Sequence, residues 1–281
     1  MSSPSFYQIR ECENAGCGLR YPLTEGHPFG ERCPACLGAT RVVLQRGLDA
    51  EAGFLPGAGA GRETRAERTR LNEPTPNEST PNESTPNEST PNRPAQNEAP
   101  NNERVLEALL DNVRSAWNVG AIFRTADAFG VRRIHLCGVT PTPENKSVGK
   151  TALGAEKTIA WTAGRNALVR ARALMDEGCV LWGLEQDERA VSTTDFFSTD
   201  FFTDSRIRTD GSSTDSFTDS RIKTDLGPIV LIVGNEVTGV DPGLLDLCEK
   251  ILYIPMRGRK RSLNVEVAFG VALSWLTVTG G

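Results

Sequence analysis

No stretch of this sequence approaches eighteen consecutive apolar residues, which excludes a membrane-spanning helix. The first residues, MSSPSFYQIR, lack the apolar core of a secretory signal, so a cytoplasmic protein in a reducing compartment is expected. Hydrophobic residues are scarce, at 38% of 281, and part of the chain is expected to lie outside any core. Two common phosphate-binding loops are missing. There is no G-x-G-x-x-G, and no Lys follows the glycine that closes Gly234-Asn235-Glu236-Val237-Thr238-Gly239. A positive charge balance, the usual footprint of a nucleic-acid binder, is missing too, since the formal net charge is −5.

That last absence is local. Two low-complexity segments, residues 47–100 and 192–225, hold a net −7, and the rest of the chain carries +2. Residues 75–92 read TPNES-TPNES-TPNES-TPN, with nothing to bury against the entropy of ordering the chain, so a disordered linker is expected there. Residues 192–225 contain TDSRIRTD and TDSRIKTD after two Phe pairs, and look like a repeat-expanded insertion in a surface loop. Outside them the basic clusters Arg132-Arg133 and Arg257-Gly258-Arg259-Lys260-Arg261 stand out.

Four of the seven cysteines lie within the first 36 residues, as Cys12-x4-Cys17-x15-Cys33-x2-Cys36. Two pairs separated by a hairpin-length spacer suit a tetrahedral Zn2+ site. Unliganded thiols in a small disordered arm are the alternative. His27 follows a glycine and reads as a solvated loop residue. The domains expected are a zinc-ribbon-like module at 1–46, a linker at 47–100, and a larger domain at 101–281 carrying the 192–225 insertion.

The larger domain alternates helix and strand. Helices are predicted over Asn118–Phe129 with Asn118 as N-cap, Arg165–Glu177, Pro242–Glu249 and Asn264–Leu276. Strands are predicted over Val131–Gly138, Val180–Leu184, Ile229–Val233 and Ile251–Ile254; the run IVLIV marks a strand buried on both faces. The fold class is therefore α/β, with a mostly parallel sheet flanked by helices. Ligands of such sheets bind where loops leave the carboxyl ends of strands. Three such loops carry polar groups: Arg114–Asn118 leading to Arg124, Gly234–Gly239, and the basic loop Ile254–Asn264. Each has a bland reading, with Arg124 paired to Asp127, Glu236 capping the next helix, and Ser262 and Asn264 acting as N-caps.

The segments NVGAIFRTADAFGV (118–131), IVGNEVTGV (232–240) and IPMRGRKRSLNVEVA (254–268) resemble the three motifs of the SpoU/TrmH family of RNA 2′-O-ribose methyltransferases, of the SPOUT superfamily. TALGAEKT (151–158) is also similar. The likeness covers about residues 103–281, interrupted by the insertion; Glu266 stands where many members have a small residue. The resemblance implies a deep C-terminal trefoil knot, a homodimer packed through the knot and last helix, and S-adenosylmethionine held in the knot. By motif position, Gly234, Ile254 and Leu263 would bind that cofactor, with Met256 nearby. Arg124 matches the arginine to which the family assigns the catalytic role. Guanidinium groups are rarely deprotonated, so its role as base or as phosphate and alkoxide clamp stays open. Asn118, Glu236, Ser262 and Asn264 would position Arg124 and the ribose. Arg257, Arg259, Lys260 and Arg261 would meet phosphates of structured RNA, tRNA or rRNA, and the ribbon would help capture it. A non-catalytic RNA-binding or ribosome-assembly factor that kept the fold is the alternative, and a ribbon that itself binds DNA or protein a weaker one.

Overall fold

The computed structural model describes residues 6–25, 27, 31–48, 105–195 and 227–278. The TPNES repeats and most of the 192–225 segment lie outside the described residues. Among the described residues, no helix is long and apolar enough to cross a membrane.

Three antiparallel strands, β1 (Phe6–Cys12), β2 (Arg20–Thr24) and β3 (Thr40–Gly47), form a small sheet in the order β2-β1-β3. Leu19 and Tyr21 cluster there with the thiols of Cys12, Cys17 and Cys33, Leu23 packs beside them, and Tyr7 and Ile9 of β1 are buried as well. So small an apolar cluster needs another constraint to be stable.

The second sheet has seven strands, every pair parallel. They are β4 (Leu106–Asp111), β5 (Arg133–Cys137), β6 (Ala160–Gly164), β7 (Val180–Leu184), β8 (Val191–Ser192), β9 (Ile229–Val233) and β10 (Lys250–Tyr253). The order is β6-β5-β4-β9-β7-β10-β8. Strand β9 lies between β4 and β7, and all five of its residues are buried. Alternation decides which face each residue serves. Ile229, Leu231 and Val233 meet one helical layer, α1 (Ala116–Ala128) and α6 (Val265–Val278), which contributes Ile122, Phe123, Phe269 and Leu273. Val230 and Ile232 face the other layer, α4 (Ala167–Asp176) and α5 (Pro242–Leu245). Each fully buried Leu, Ile or Phe contributes roughly 1.5–3 kcal/mol. Two short helices, α2 (Lys146–Ala152) and α3 (Ala155–Thr158), pack beside α1.

Several boundaries differ from the sequence expectation. Helix α1 starts at Ala116, because Ser115 is the N-cap and its Oγ accepts from the Asn118 amide at 3.3 Å. Asn118 is therefore inside the helix. Helix α4 starts at Ala167, capped by Asn166, because the Arg165 carbonyl accepts from the Arg20 amide at 3.0 Å and belongs to a loop contact. The helix expected over Pro242–Glu249 ends at Leu245, since the Glu249 amide already donates to the Leu181 carbonyl at 2.9 Å. The chain is by then entering β10. Strand β5 is shorter than expected: the Val131 amide closes on the Ala126 carbonyl, and Gly138 has φ 69.

Candidate functional site

The carboxyl ends of β4 and β9 are tied together by two asparagines. Asn112 follows β4 in a left-handed conformation, φ 57, and its carbonyl accepts from Asn235 Nδ2 at 2.8 Å. Asn235 and Gly239 exchange backbone hydrogen bonds of 3.0 and 2.9 Å, closing a tight loop after β9. Asn235 Oδ1 also accepts from the Val237 and Thr238 amides. A Cβ at Gly234 would fall 2.2 Å from the Val240 nitrogen, so only glycine lets the loop close.

This loop presents Glu236 to the start of α1. Its carboxylate accepts from the Arg114 amide, the Ser115 amide and Asn118 Nδ2, each at 3.0 Å. Burial pushes the carboxyl up, but these donors outweigh it and hold the group below its ordinary value. Glu236 thus anchors the turn that enters the helix of the first motif, whose cap is Ser115, and does not cap the helix that follows it in sequence. Asn118 Oδ1 in turn accepts from Asn264 Nδ2 at 3.1 Å, and Asn264 Oδ1 accepts from the Glu266 amide at the start of α6. Three loops far apart in sequence are joined through Asn118.

Arg124 stands two turns further along α1, exposed, on an open groove of about 480 Å³ whose walls include Lys150, Thr151, Leu153, Phe129 and Glu266. No ion pair with Asp127 forms; Asp127 instead accepts from the Thr158 hydroxyl at 2.8 Å. Among the described residues the Arg124 guanidinium has no partner. Thr125 donates to Glu266 at 3.3 Å, so the groove and the asparagine cluster share the first turn of α6. Ser262 is exposed and makes no hydrogen bond to a described residue. Ile254 and Met256 are half-buried and Leu263 is exposed along the segment from β10 to α6, which Gln186 Nε2 anchors at the Arg261 carbonyl. Arg257, Arg259 and Lys260 are exposed and Arg261 is half-buried.

The four N-terminal cysteines converge. Their Sγ atoms all lie within 4.8 Å of one another, with Cys12 and Cys36 3.4 Å apart and Cys17 and Cys33 3.8 Å apart. Thiolates 2.3 Å from a central tetrahedral zinc would be about 3.8 Å apart, so the set fits that metal. Two tight turns hold it: Asn14 to Cys17, and Cys33 to Gly38 with Leu37 at φ 60. The Gly38 amide pulls the Cys36 thiol down to about 7, while burial pushes Cys12 up. His27 is not part of the cluster.

A sequence model of the SpoU rRNA Methylase family matches residues 106–274, more than half of the chain. The chain belongs to the SpoU rRNA Methylase family. It is 28% identical over 172 residues to the 23S rRNA (guanosine-2′-O-)-methyltransferase RlmB of Vibrio parahaemolyticus, covering 61% of this chain and 58% of that protein. The protein of the same name from Acinetobacter baylyi is 30% identical over 180 residues, with 62% and 59% covered. This chain spans little more than half the length of those curated relatives. The AdoMet-bound rRNA methyltransferase of Sinorhizobium meliloti matches with a TM-score of 0.49 and 24% identity, over 62% of this chain and 56% of that one.

In this SpoU family member, residues around the motifs shape the site without having been anticipated. Glu185, after β7, accepts from the Val240 amide at 2.9 Å and is pushed up by burial. Asp111, ending β4, accepts from the Asp241 amide at 2.9 Å and from Asn112 at 2.7 Å. Burial, then the nearby charge of Asp241, pushes Asp111 up to about 7. For Glu185 the available signal was an acid directly after the apolar run Val180–Leu184; Asp111, in a strand that also holds Glu107, had none so clear. Lys150 carried none, being one lysine in an amphipathic stretch.

Proposed function

We propose that this chain transfers the methyl group of S-adenosylmethionine to a ribose 2′-hydroxyl in structured RNA, tRNA or rRNA. The observation that carries the reading is the Glu236–Asn118–Asn264 junction, which brings the three family motifs together on the helix that carries Arg124, whose guanidinium has no partner among the described residues. The bound cofactor supplies an electrophilic methyl on a sulfonium. That methyl would pass from sulfur to the 2′-oxygen, and the residues around Arg124 would hold the ribose while its hydroxyl proton leaves to solvent or a base.

Arg124 and Lys150 share the groove, which suits the phosphate beside the target ribose. Arg124 is assigned the role of a cation that holds this phosphate and stabilises the developing alkoxide. Glu236, Asn118 and Asn264 fix the helix that carries Arg124, and Ser262 is free to meet the ribose. Gly234, Ile254, Met256 and Leu263 line the cofactor's side, in the trefoil knot that family membership implies. The exposed cations Arg257, Arg259 and Lys260, with Arg261, meet the RNA backbone. The cysteine cluster holds a structural Zn2+. A homodimer fits the last helix, where Val267 and Trp275 remain partly exposed. The expected location is the cytoplasm.

Replacement Arg124→Ala tests the reading: methylation of RNA should fall at least about a hundredfold while the cofactor still binds by calorimetry. Full activity would remove Arg124 from the mechanism. Wild-type protein that binds RNA but no S-adenosylmethionine would instead be a non-catalytic RNA-binding factor.

A further inference from the structure

The ribbon is not merely tethered to the catalytic domain; it docks on it, on the side where the site lies. Arg165 Nη1 donates to Cys17 Sγ at 2.9 Å, across from β6 to the metal-ligand set. The Arg20 amide donates to the Arg165 carbonyl at 3.0 Å. The Arg20 carbonyl accepts from Asn112 Nδ2 at 3.3 Å. Its guanidinium grips Asp241 through both oxygens, at 2.7 and 3.1 Å, with the two side chains 11% and 4% exposed. A nearly dry bidentate pair of this kind is costly to break from one side.

These contacts converge on the loop that presents Glu236. Asn112, held by Arg20, is the residue whose carbonyl receives Asn235, and Asp241 ends the same loop, with its amide on Asp111. The path from Cys17 runs through Arg165, Arg20, Asn112 and Asn235 to Glu236 without a gap. The ribbon's own apolar core is small, so its shape depends on whatever crosslinks the four thiols.

We propose that the ribbon is a metal-dependent support of the catalytic site: a zinc ion on Cys12, Cys17, Cys33 and Cys36 holds Arg20 against Asp241 and thereby sets the loop 235–241. Arg20 and Arg165 are positioning residues. The ligand class is a thiophilic divalent cation, and the consequence of its loss reaches a loop more than two hundred residues away in sequence. The coupling rests on the methyltransferase reading only for what Glu236 then does.

The test uses the full chain purified without chelator. Metal analysis should give one zinc per chain, and hydrogen exchange should show protected amides at 235–241. Stripping with a chelator should speed exchange there about tenfold or more, while β5 and β6 amides stay protected, and should weaken S-adenosylmethionine binding about fivefold or more. Arg20→Gln should keep its zinc yet show the same faster exchange at 235–241, and Arg165→Ala a smaller change. Absence of zinc overturns the proposal. So does exchange at 235–241 that stays unchanged after stripping or in zinc-loaded Arg20→Gln. If stripping unfolds the whole chain, the zinc-loaded Arg20→Gln result decides. Faster exchange in a protein that never binds S-adenosylmethionine would keep this inference and remove the methyltransferase reading.

Discussion

Arg124 lies on α1 and Glu236 on the loop that meets the amino end of α1, and they do different work. Arg124 is exposed on a groove with no partner among the described residues, while Glu236 spends its carboxylate on three donors at the amino end of α1. Removing Glu236 leaves the Arg114 and Ser115 amides, just ahead of α1, and the Asn118 side chain to water. We expect Glu236→Ala to cost about 1–3 kcal/mol, the usual penalty for donors that lose their acceptor, in urea denaturation. Glu236→Gln, which keeps an acceptor, should lose less. Equal stability of Glu236→Ala and wild type would contradict the anchoring role. Arg124→Ala, by contrast, should leave the denaturation midpoint within about 0.5 kcal/mol of wild type, as for an exposed side chain without partners.

The helix–helix contact that carries Arg124 depends on Gly120. A Cβ there would fall 2.1 Å from Thr151 Oγ1 and 2.2 Å from the Val148 carbonyl oxygen, where α1 crosses α2. Alanine is the better helix former by about 1 kcal/mol, but overpacking against backbone costs typically 1–3 kcal/mol. We expect the second effect to win, with Gly120→Ala lowering stability in thermal or urea denaturation; a more stable variant would show that α2 can move away. Strands β7 and β9 were readable to the residue, because a short apolar run between turn residues leaves little choice of boundary. Helix α5 was misread because its end is set by β10 pairing with β7, a long-range bond that no local pattern reports. Asn118 looked like a cap, yet its side chain serves Glu236 and Asn264, and Ser115 took the cap. The Arg20–Asp241 pair was invisible in the sequence, since nothing local links two residues so far apart.

On the scale of the molecule, the buried acid Asp111 lies where the ribbon meets the sheet. Its folded pKa, pushed up to about 7 by burial and then by Asp241, lies above the ordinary carboxylate value of 3.8. A raised folded pKa means that the folded state holds its proton more tightly than the unfolded chain. The stabilising contribution is full below about pH 4 and is lost as pH rises towards 7. We expect Asp111→Asn to flatten this fall, narrowing the stability difference between pH 5 and pH 8 by on the order of 2 kcal/mol in urea titrations. An unchanged pH dependence would show that Asp111 is not the titrating group. The central claim, methyl transfer to ribose, has a direct assay. The 281-residue chain is incubated with methyl-labelled S-adenosylmethionine and unmodified rRNA and tRNA, followed by alkaline hydrolysis. A 2′-O-methyl group blocks cleavage of the neighbouring phosphodiester, so the label should appear in an alkali-resistant dinucleotide and vanish with Arg124→Ala. Label in a single base-methylated nucleotide, or no label in either RNA, would contradict the account.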